Sequence, residues 1–422
     1  MRGNTNVDLL IIGGGPAGLS AALKAQELGI ERILLVDERS FLGGILPQCI
    51  HPGFGLHILG RDLTGCELAE LLSEKLSRTP VEVINDAYVA ELSIKAYDNK
   101  EAIIVSPKGV LRVQATAVIY AAGCRERHMF DIGLVGDRPA GIYTAGEAQA
   151  MMDLYGILPG EEIVIIGSGD VGLIMARRFA LEGAKVKAVV EIMPYPGGLL
   201  RNVVQCLMDF DIPLLLSHKA LMVKGKKRVS SVIIAKVDQN LNPVPGTETE
   251  IKCDTVIIAA GLKPRVRLLK RAGALIDPST GGPVVNEWLE TTLPGVFAAG
   301  NCLIVNDLVD YAMEQGEWAA ESAARFIREG GLPAARWKRI IKGNNIRAVV
   351  PHLVGGFRPI ILYSRALRPM ERALLKIPEL KVSIRVPYVR PAQMLRLCLK
   401  PEDILSAKHD RITLEIVKEE GF

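Results

Sequence analysis

Residues 7–39 read VDLLIIGGGPAGLSAALKAQELGIERILLVDER. The apolar run Leu9–Ile12 predicts a buried parallel strand, and Gly13, Gly15 and Gly18 follow it as G-x-G-x-x-G. Leu19, Leu23 and Leu28 then recur at roughly helical spacing until Gly29 closes the segment. A second apolar run, Ile33–Val36, ends on Asp37. Strand, glycine turn, helix and strand make a βαβ unit with an acid about twenty residues past the glycines, the pattern of a dinucleotide site. The first glycine permits the tight turn, the second lets the backbone approach a pyrophosphate, and the third brings helix and strand close. The helix start, entered through Pro16 and Ala17, turns its unpaired N–H groups and positive dipole end toward phosphate. Asp37 is placed to accept hydrogen bonds from a ribose.

The pattern restarts at Gly160. Residues 161–193, EEIVIIGSGDVGLIMARRFALEGAKVKAVVEIM, hold Gly167, Gly169 and Gly172 with Asp170 and Val171 between them. The strand-end acid is Glu191, followed by Ile192 and Met193. Two such units about 150 residues apart form an internal repeat of function. An acid at that strand end pairs with a 2′-hydroxyl, whereas a 2′-phosphate would be repelled and would call for arginine. The second unit therefore prefers NAD over NADP. The loop PYPGG, Pro194–Gly198, reads as a turn lying over the adenosine.

Between the units lies GGILPQCIHPGFGLH, Gly43–His57, a loop dense in glycine and proline that carries Cys49, His51 and His57. Helical spacing resumes over Leu63–Leu76. Strands are expected at Val81–Ile84, Ala102–Val105, Leu111–Val113 and Ala117–Gly123, the last ending in A-A-G. CDTVIIAAG (Cys253–Gly261) repeats that ending. LPGVFAAGNC (Leu293–Cys302) runs into Gly300-Asn301, and a helix is expected over Leu308–Arg328. Gly330-Gly331 and Pro333 mark a boundary. From Trp337 to Phe422 short β-rich runs alternate with proline turns, which predicts a small β domain without a chemical signature of its own.

Composition narrows the function classes. The 422 residues suggest two or three domains. The chain is 49% hydrophobic and 23% charged, a globular balance with ample apolar material for a core. A net charge of +4 is too mild and dispersed for nucleic-acid binding. No apolar run approaches the roughly eighteen residues of a membrane helix, and the N-terminus lacks the layout of a signal peptide. The seven cysteines form no C-x-x-C pair, which suggests a reduced, cytoplasmic setting and argues against an iron–sulfur cluster or other metal held by this chain.

In their order, these pieces resemble the two-dinucleotide-binding-domain flavoproteins typified by glutathione reductase and thioredoxin reductase: a first G-x-G-x-x-G, A-A-G, an inserted second G-x-G-x-x-G, a second A-A-G, and a late T-x-x-P-G-V-F-A-A-G-[ND]. The resemblance covers Val7 to about Arg328. It implies an α/β fold with two Rossmann-like domains, the NAD domain inserted in the FAD domain, plus the small C-terminal β domain. The corresponding expectation is an FAD domain over 1–150 and 286–332, an NAD domain over 151–285 and the β domain over 333–422. Carried over by position, FAD meets Gly13, Gly15, Pro16, Ala17, Gly18, Asp37, Glu38, Gly44, Ile45, Ala122, Gly123, Arg125, Gly300 and Asn301, with Val89 at the adenine. NAD(H) meets Gly167, Gly169, Asp170, Val171, Gly172, Glu191 and Gly261. Arg125, with Arg127 and His128, is a candidate to neutralise FAD phosphate or reduced flavin. One departure stands out. The usual aspartate of the late motif is Asn301, which hydrogen-bonds a ribityl hydroxyl without charge.

A narrower resemblance rests on GGILPQCIHPGFGLH, AAGCRERH, RPAGIYTAGEAQ, IGSGDVGLIMARR and EIMPYPGG. These are similar to the flavoprotein subunits of glycerol-3-phosphate dehydrogenase-like, L-proline dehydrogenase, opine oxidase and hydrogen cyanide synthase complexes. The resemblance implies a subunit that exchanges electrons with NAD(H) while a partner FAD dehydrogenase oxidises the substrate, sometimes with a small cysteine-rich or iron–sulfur protein. Such a complex would be cytoplasmic or membrane-peripheral. Hydride exchange between the two cofactors requires orientation rather than a side-chain acid or base, so no catalytic triad is expected. Cys49, with His51 beside it, is the one candidate redox side chain, and it supports an alternative: a stand-alone NADH oxidase or a disulfide or polysulfide reductase. A non-catalytic FAD scaffold is a third reading, which the intact second glycine motif disfavours.

Overall fold

The computed structural model describes residues 2–419. Its chain forms two compact units: residues 1–124 joined with 264–422, and an inserted unit of residues 125–263. The expected insert boundaries, 151 and 285, lie about twenty-five residues beyond the observed start and about twenty beyond the observed end. The reason is physical. The segment after Cys124 supplies strands and a helix to the insert's own sheets, and the chain after Lys263 rejoins the first unit's strand ends.

In the first unit, β1 (Arg2–Ile12), α1 (Pro16–Glu27) and β2 (Ile33–Val36) realise the quoted stretch. β1 and β2 pair in parallel with Leu9 opposite Ile33 and Ile12 opposite Val36. Leu9, Leu10, Ile11, Leu34 and Leu35 are fully buried. This is why the strands read as unbroken apolar runs rather than as alternation. α2 (Gly65–Ser77) opens on Thr64, whose hydroxyl accepts from Glu67 N–H while Glu67 accepts from Thr64 N–H, a capping box. β3 (Glu82–Ile84), β4 (Tyr88–Ala96), β5 (Asn99–Ser106) and β6 (Gly109–Tyr120) complete the sheet in the order β3-β2-β1-β6-β5-β4. The two strands expected over 111–123 are one long strand, β6, which pairs parallel with β1 from Leu111 to Tyr120 on one edge and antiparallel with β5 over Gly109–Ala115 on the other.

The inserted unit has its own parallel sheet. β7 (Ile142–Thr144), α3 (Ala145–Asp153), β8 (Glu162–Ile166), α4 (Asp170–Leu181) and β9 (Lys185–Val190) come first, with β10 (Leu214–Leu215) at one edge. β11 (His218–Gly225), β12 (Val229–Lys236) and β13 (Thr249–Lys252) form an antiparallel meander in a second sheet. β14 (Thr255–Ile258) returns to the centre of the parallel sheet, between β7 and β8.

After the insert, β15 (Val296–Ala298) pairs parallel with β6, and α5 (Val309–Glu329) packs along α1. The two helices meet through alanines and Gly316. A Cβ at Gly316 would lie 2.1 Å from the Ala17 carbonyl oxygen, so only glycine permits this approach. The C-terminal region is the expected β domain: β16 (Lys338–Lys342), β17 (Ile346–Val350), β18 (Ile360–Ala366), β19 (Met370–Ile377), β20 (Val382–Val389), β21 (Met394–Leu399) and β22 (Arg411–Lys418). It is clamped to the rest of its unit. Fully buried Glu287 accepts N–H bonds from Gly355, Gly356 and Phe357, and Glu314 on α5 takes the Tyr363 hydroxyl at 2.5 Å and the Arg396 guanidinium. Among the described residues no helix is long and apolar enough to cross a membrane.

Candidate functional site

Both glycine turns form at the carboxyl ends of parallel strands, where an open α/β sheet places its ligand. In the first unit Gly13 has φ +108°, and a Cβ there would lie 2.4 Å from Ala121 O. Gly18 is tighter still, its added Cβ falling 1.8 Å from Gly13 O. α1 begins at Pro16 with Gly15 as N-cap and no side-chain cap on its first amides. Beside Gly15 the nearest atom to an added Cβ is Gly44 Cα at 3.8 Å, and a Cβ on Gly44 would lie 3.0 Å from Gly15 Cα, so the two glycines face each other with bare backbone. Such a cradle fits a pyrophosphate.

Asp37 is 7% exposed. Its Oδ2 accepts the Gly14 N–H at 2.5 Å and its Oδ1 the Arg39 N–H at 2.8 Å. It therefore braces the turn, and each oxygen keeps one acceptor direction for a ribose diol. Glu38 is engaged elsewhere. Arg265, on the chain returning from the insert, grips it with two guanidinium nitrogens, Nη2–Oε2 at 2.8 Å. That partner holds the Glu38 carboxyl below the usual carboxylate range. Arg265 is anchored by its backbone: its N–H donates to Gly123 O at 3.0 Å, and Tyr120 O–H donates to its carbonyl at 2.6 Å. No spacing rule connects residues 38 and 265, and the sequence reading misses Arg265. Val89, expected at the adenine, lies on β4 next to Tyr88. Val89 is buried in the strand core at 6%, while Tyr88 is 52% exposed and within electrostatic reach of Arg265.

The late motif converges on the same turn. Gly300 has φ +75°, and an added Cβ would lie 2.8 Å from the Ala17 Cβ. Gly300 N–H donates to Gln315 Oε1 at 3.0 Å, from α5. Asn301 Oδ1 accepts the Asn306 N–H at 2.9 Å, which orients its Nδ2 toward Cys124 Sγ at 3.7 Å. Gly123 (φ +65°) follows Ala122 at the end of the β6 strand. Thus Gly13–Gly18, Asp37, Gly44, Gly123 and Gly300-Asn301 are brought together. Arg125 follows Cys124 in the chain. It belongs to the inserted unit and pairs with Asp131 at 2.7 Å, which Lys263 also holds at 2.6 Å.

Ile45 is exposed at 47% and leads into a 3₁₀ turn, Leu46–Gln48. Cys49 closes that turn, 7% exposed, with its thiol donating to Ile45 O at 3.5 Å. A Cβ on Gly65 would sit 2.5 Å from the Cys49 Cβ, so the thiol is wedged under the start of α2. His51 is half-buried, with Nδ1 2.9 Å from Pro52 O. His57 stacks on Tyr311, and its backbone N–H donates to buried Asp310. Among the described residues no cluster of acidic, histidine and cysteine side chains could hold a metal.

The second turn repeats the first. Gly167 has φ +104°, its added Cβ 2.4 Å from Ala259 O, and the Cβ of a residue at 172 would lie 2.5 Å from Gly167 O. Gly169, the N-cap of α4, has open space above it. Val171 is 42% exposed beside it, and Gly261 (φ +98°) ends the adjoining strand. Asp170 binds the chain that follows the glycine loop: its Oδ1 accepts from Leu199 N–H at 2.8 Å and Asn202 Nδ2 at 2.7 Å. Glu191 is 7% exposed and accepts from Ser168 N–H at 2.9 Å, Ser168 O–H at 2.6 Å and Met193 N–H at 2.9 Å. The glycine loop at 197–198 folds back on this acid through Gly197 N–H, which donates to Ser168 Oγ at 2.8 Å.

Comparison with known proteins agrees with this geometry. The pattern described as pyridine nucleotide-disulphide oxidoreductase matches residues 7–316. The alpha subunit of sarcosine oxidase from Corynebacterium sp. (strain P-1) is 28% identical over 349 residues, covering 79% of this chain and 34% of that protein. An opine oxidase subunit of Agrobacterium tumefaciens (strain Ach5) is 26% identical over 344 residues, 77% of this chain and 65% of that one. The chain therefore spans about a third of the sarcosine oxidase relative and about two thirds of the opine oxidase relative. The thioredoxin reductase of T. acidophilum superposes with a TM-score of 0.63 at 25% identity, covering 76% of this chain and 98% of that structure. The chain belongs to the pyridine nucleotide-disulphide oxidoreductase family, the FAD-dependent oxidoreductases that also bind NAD(P)H.

Proposed function

We propose that the first unit holds FAD, the inserted unit holds NAD(H), and the chain passes electrons between them as one subunit of a larger dehydrogenase. The observation that carries this reading is the pair of intact glycine turns, each with its own buried strand-end acid, in two separate units. When bound, the two cofactors supply reversible hydride exchange, and the protein supplies orientation and electrostatics. The Gly13–Gly18 turn and α1 would hold the FAD pyrophosphate, Asp37 its ribose, and Gly300-Asn301 its ribityl chain. The Gly167–Gly172 turn and Glu191 would hold NAD(H), with NAD favoured because Ile192 and Met193 offer no cation for a 2′-phosphate.

The relatives named as subunits, those of sarcosine oxidase and opine oxidase, support a place in a multi-subunit assembly. The substrate, whether glycerol 3-phosphate, proline, another amino acid or an opine, would then be oxidised on a partner flavoprotein. Such an assembly would sit in the cytoplasm or at the membrane surface. The buried, wedged thiol of Cys49 disfavours the alternative of a disulfide or polysulfide reductase, which needs an accessible thiolate.

The test is purification of the native protein with its co-eluting partners, followed by flavin analysis and anaerobic NADH titration. One FAD per chain, bleached by NADH, together with a second flavoprotein in the complex, is the expected result. A colourless protein that takes up no FAD would end the cofactor reading, and a lone chain with full turnover on a disulfide would end the subunit reading.

A further inference from the structure

The two turns are built alike but differ at the middle residue of the first G-x-G. In the first unit this is Gly14, in the second Ser168. Gly14 leaves no room for a side chain, since an added Cβ would lie 2.6 Å from Leu42 Cδ2 and 3.2 Å from Asp37 Oδ2. Its backbone performs both connections, the N–H to Asp37 and the carbonyl accepting Gly43 N–H at 2.8 Å. In the second unit the Ser168 hydroxyl takes over the second connection and adds a third. It accepts Gly197 N–H and donates to Glu191 Oε2. Ser168 is fully buried.

The consequence lies in the acceptor count. An ionised carboxylate oxygen has about two acceptor directions. On Asp37 each oxygen takes one backbone N–H, so one direction stays open on each. On Glu191, Oε2 takes both the N–H and the O–H of Ser168, and only Oε1, already bonded to Met193 N–H, keeps a direction open. We infer that Ser168 is a positioning residue that sets nucleotide choice in the inserted unit. It saturates one oxygen of Glu191, aims the other at a single hydroxyl donor, and pins the Gly197-Gly198 loop against the same turn. A ribose 2′-hydroxyl supplies that donor. A 2′-phosphate, dianionic near neutrality, supplies none and meets a fixed negative charge. The inference rests on the reading that the inserted unit holds NAD(H).

The experiment uses the full-length, FAD-loaded chain with Ser168→Ala, Ser168→Gly and Glu191→Ala. NADH and NADPH affinities are measured by calorimetry, alongside FAD content and Tm. Ser168→Gly reproduces the residue of the first unit and guards against a folding failure of the alanine variant. The expected result is roughly a tenfold loss of NADH affinity in both Ser168 variants, with NADPH affinity unchanged, so that the preference narrows by the same factor while FAD content is retained. Unchanged NADH affinity and preference in both Ser168 variants, with Glu191→Ala weakened, would overturn the inference and leave the NAD site standing. A fall in Tm with the NADH to NADPH ratio intact would also overturn it, because a purely structural hydroxyl behaves that way. Full NADH affinity in Glu191→Ala would remove the NAD reading itself.

Discussion

The third glycine of each turn gives the sharpest test, because the two units make different demands of it. Replacing Gly18 by alanine puts a Cβ 1.8 Å from Gly13 O, where real contacts stay beyond 3.0 Å. α1 must therefore move by more than 1 Å from β1. It cannot retreat readily, because α5 presses on its other side with an added Cβ at Gly316 only 2.1 Å from Ala17 O. Overpacking of this kind costs about 1–3 kcal/mol. Spent on the pyrophosphate turn, that is about fivefold to about a hundredfold in FAD affinity. The matching change, Gly172→Ala, meets Gly167 O at 2.5 Å and the Ala259 Cβ at 2.9 Å, a smaller intrusion confined to the inserted unit. Flavin absorbance per chain after gel filtration and the NADH concentration that half-bleaches the bound flavin separate the two. Gly18→Ala should emerge largely colourless and recover little FAD on reconstitution. Gly172→Ala should stay yellow but need several-fold more NADH. Full flavin in Gly18→Ala, or equal flavin loss in both variants, would refute the assignment of one cofactor to each turn.

Three further outcomes follow. Cys49→Ser should leave NADH-to-dye turnover within about twofold, since the thiol is buried and donates to a backbone carbonyl; loss of turnover by an order of magnitude would restore a redox role. Arg265 lowers the Glu38 pKa, so the folded chain binds fewer protons there than the unfolded chain. The pair's contribution is thus present above the ordinary glutamate pKa of about 4.3 and is lost as pH falls through the lower folded value; Arg265→Ala should flatten that acid limb of a Tm-against-pH curve, and an unchanged limb would contradict the pairing. Glu287→Ala removes the acceptor of the Gly355, Gly356 and Phe357 N–H groups, and the buried Gly356 N–H alone costs about 1–3 kcal/mol if it stays unpaired. It should lower Tm by several degrees and expose the C-terminal β domain to proteolysis, whereas an unchanged Tm would show that the clamp carries no weight.

Much of the architecture was legible because its signals are local. A buried parallel strand must be apolar throughout, a tight turn under a phosphate must be glycine, and an acid at the next strand end follows at fixed distance. Residues 7–39 and 161–193 satisfy all three, and strand, turn, helix and strand form there in the expected order, although β1 starts seven residues before the expected Leu9. The pairing of the β6 strand was not legible, because the change along one of its edges from antiparallel β5 to parallel β15 depends on which strands lie beside it. Insert boundaries were missed for a similar reason: residues after 124 resemble a turn until their sheet partners are known.

Sequence alone therefore determined that this chain carries two dinucleotide turns, their acids and a trailing β domain, since each is written in short-range spacing and glycine chemistry. Only the tertiary structure decided which side chains remain available at those turns. It pairs Glu38 with Arg265 and Arg125 with Asp131, turns Asp170 toward Leu199, buries Cys49 and inserts the Ser168 hydroxyl between Glu191 and Gly197. Those pairings join residues that are mostly far apart in the chain, and hydrogen-bond partners at such separations are selected by the packing of whole elements, which no local pattern encodes.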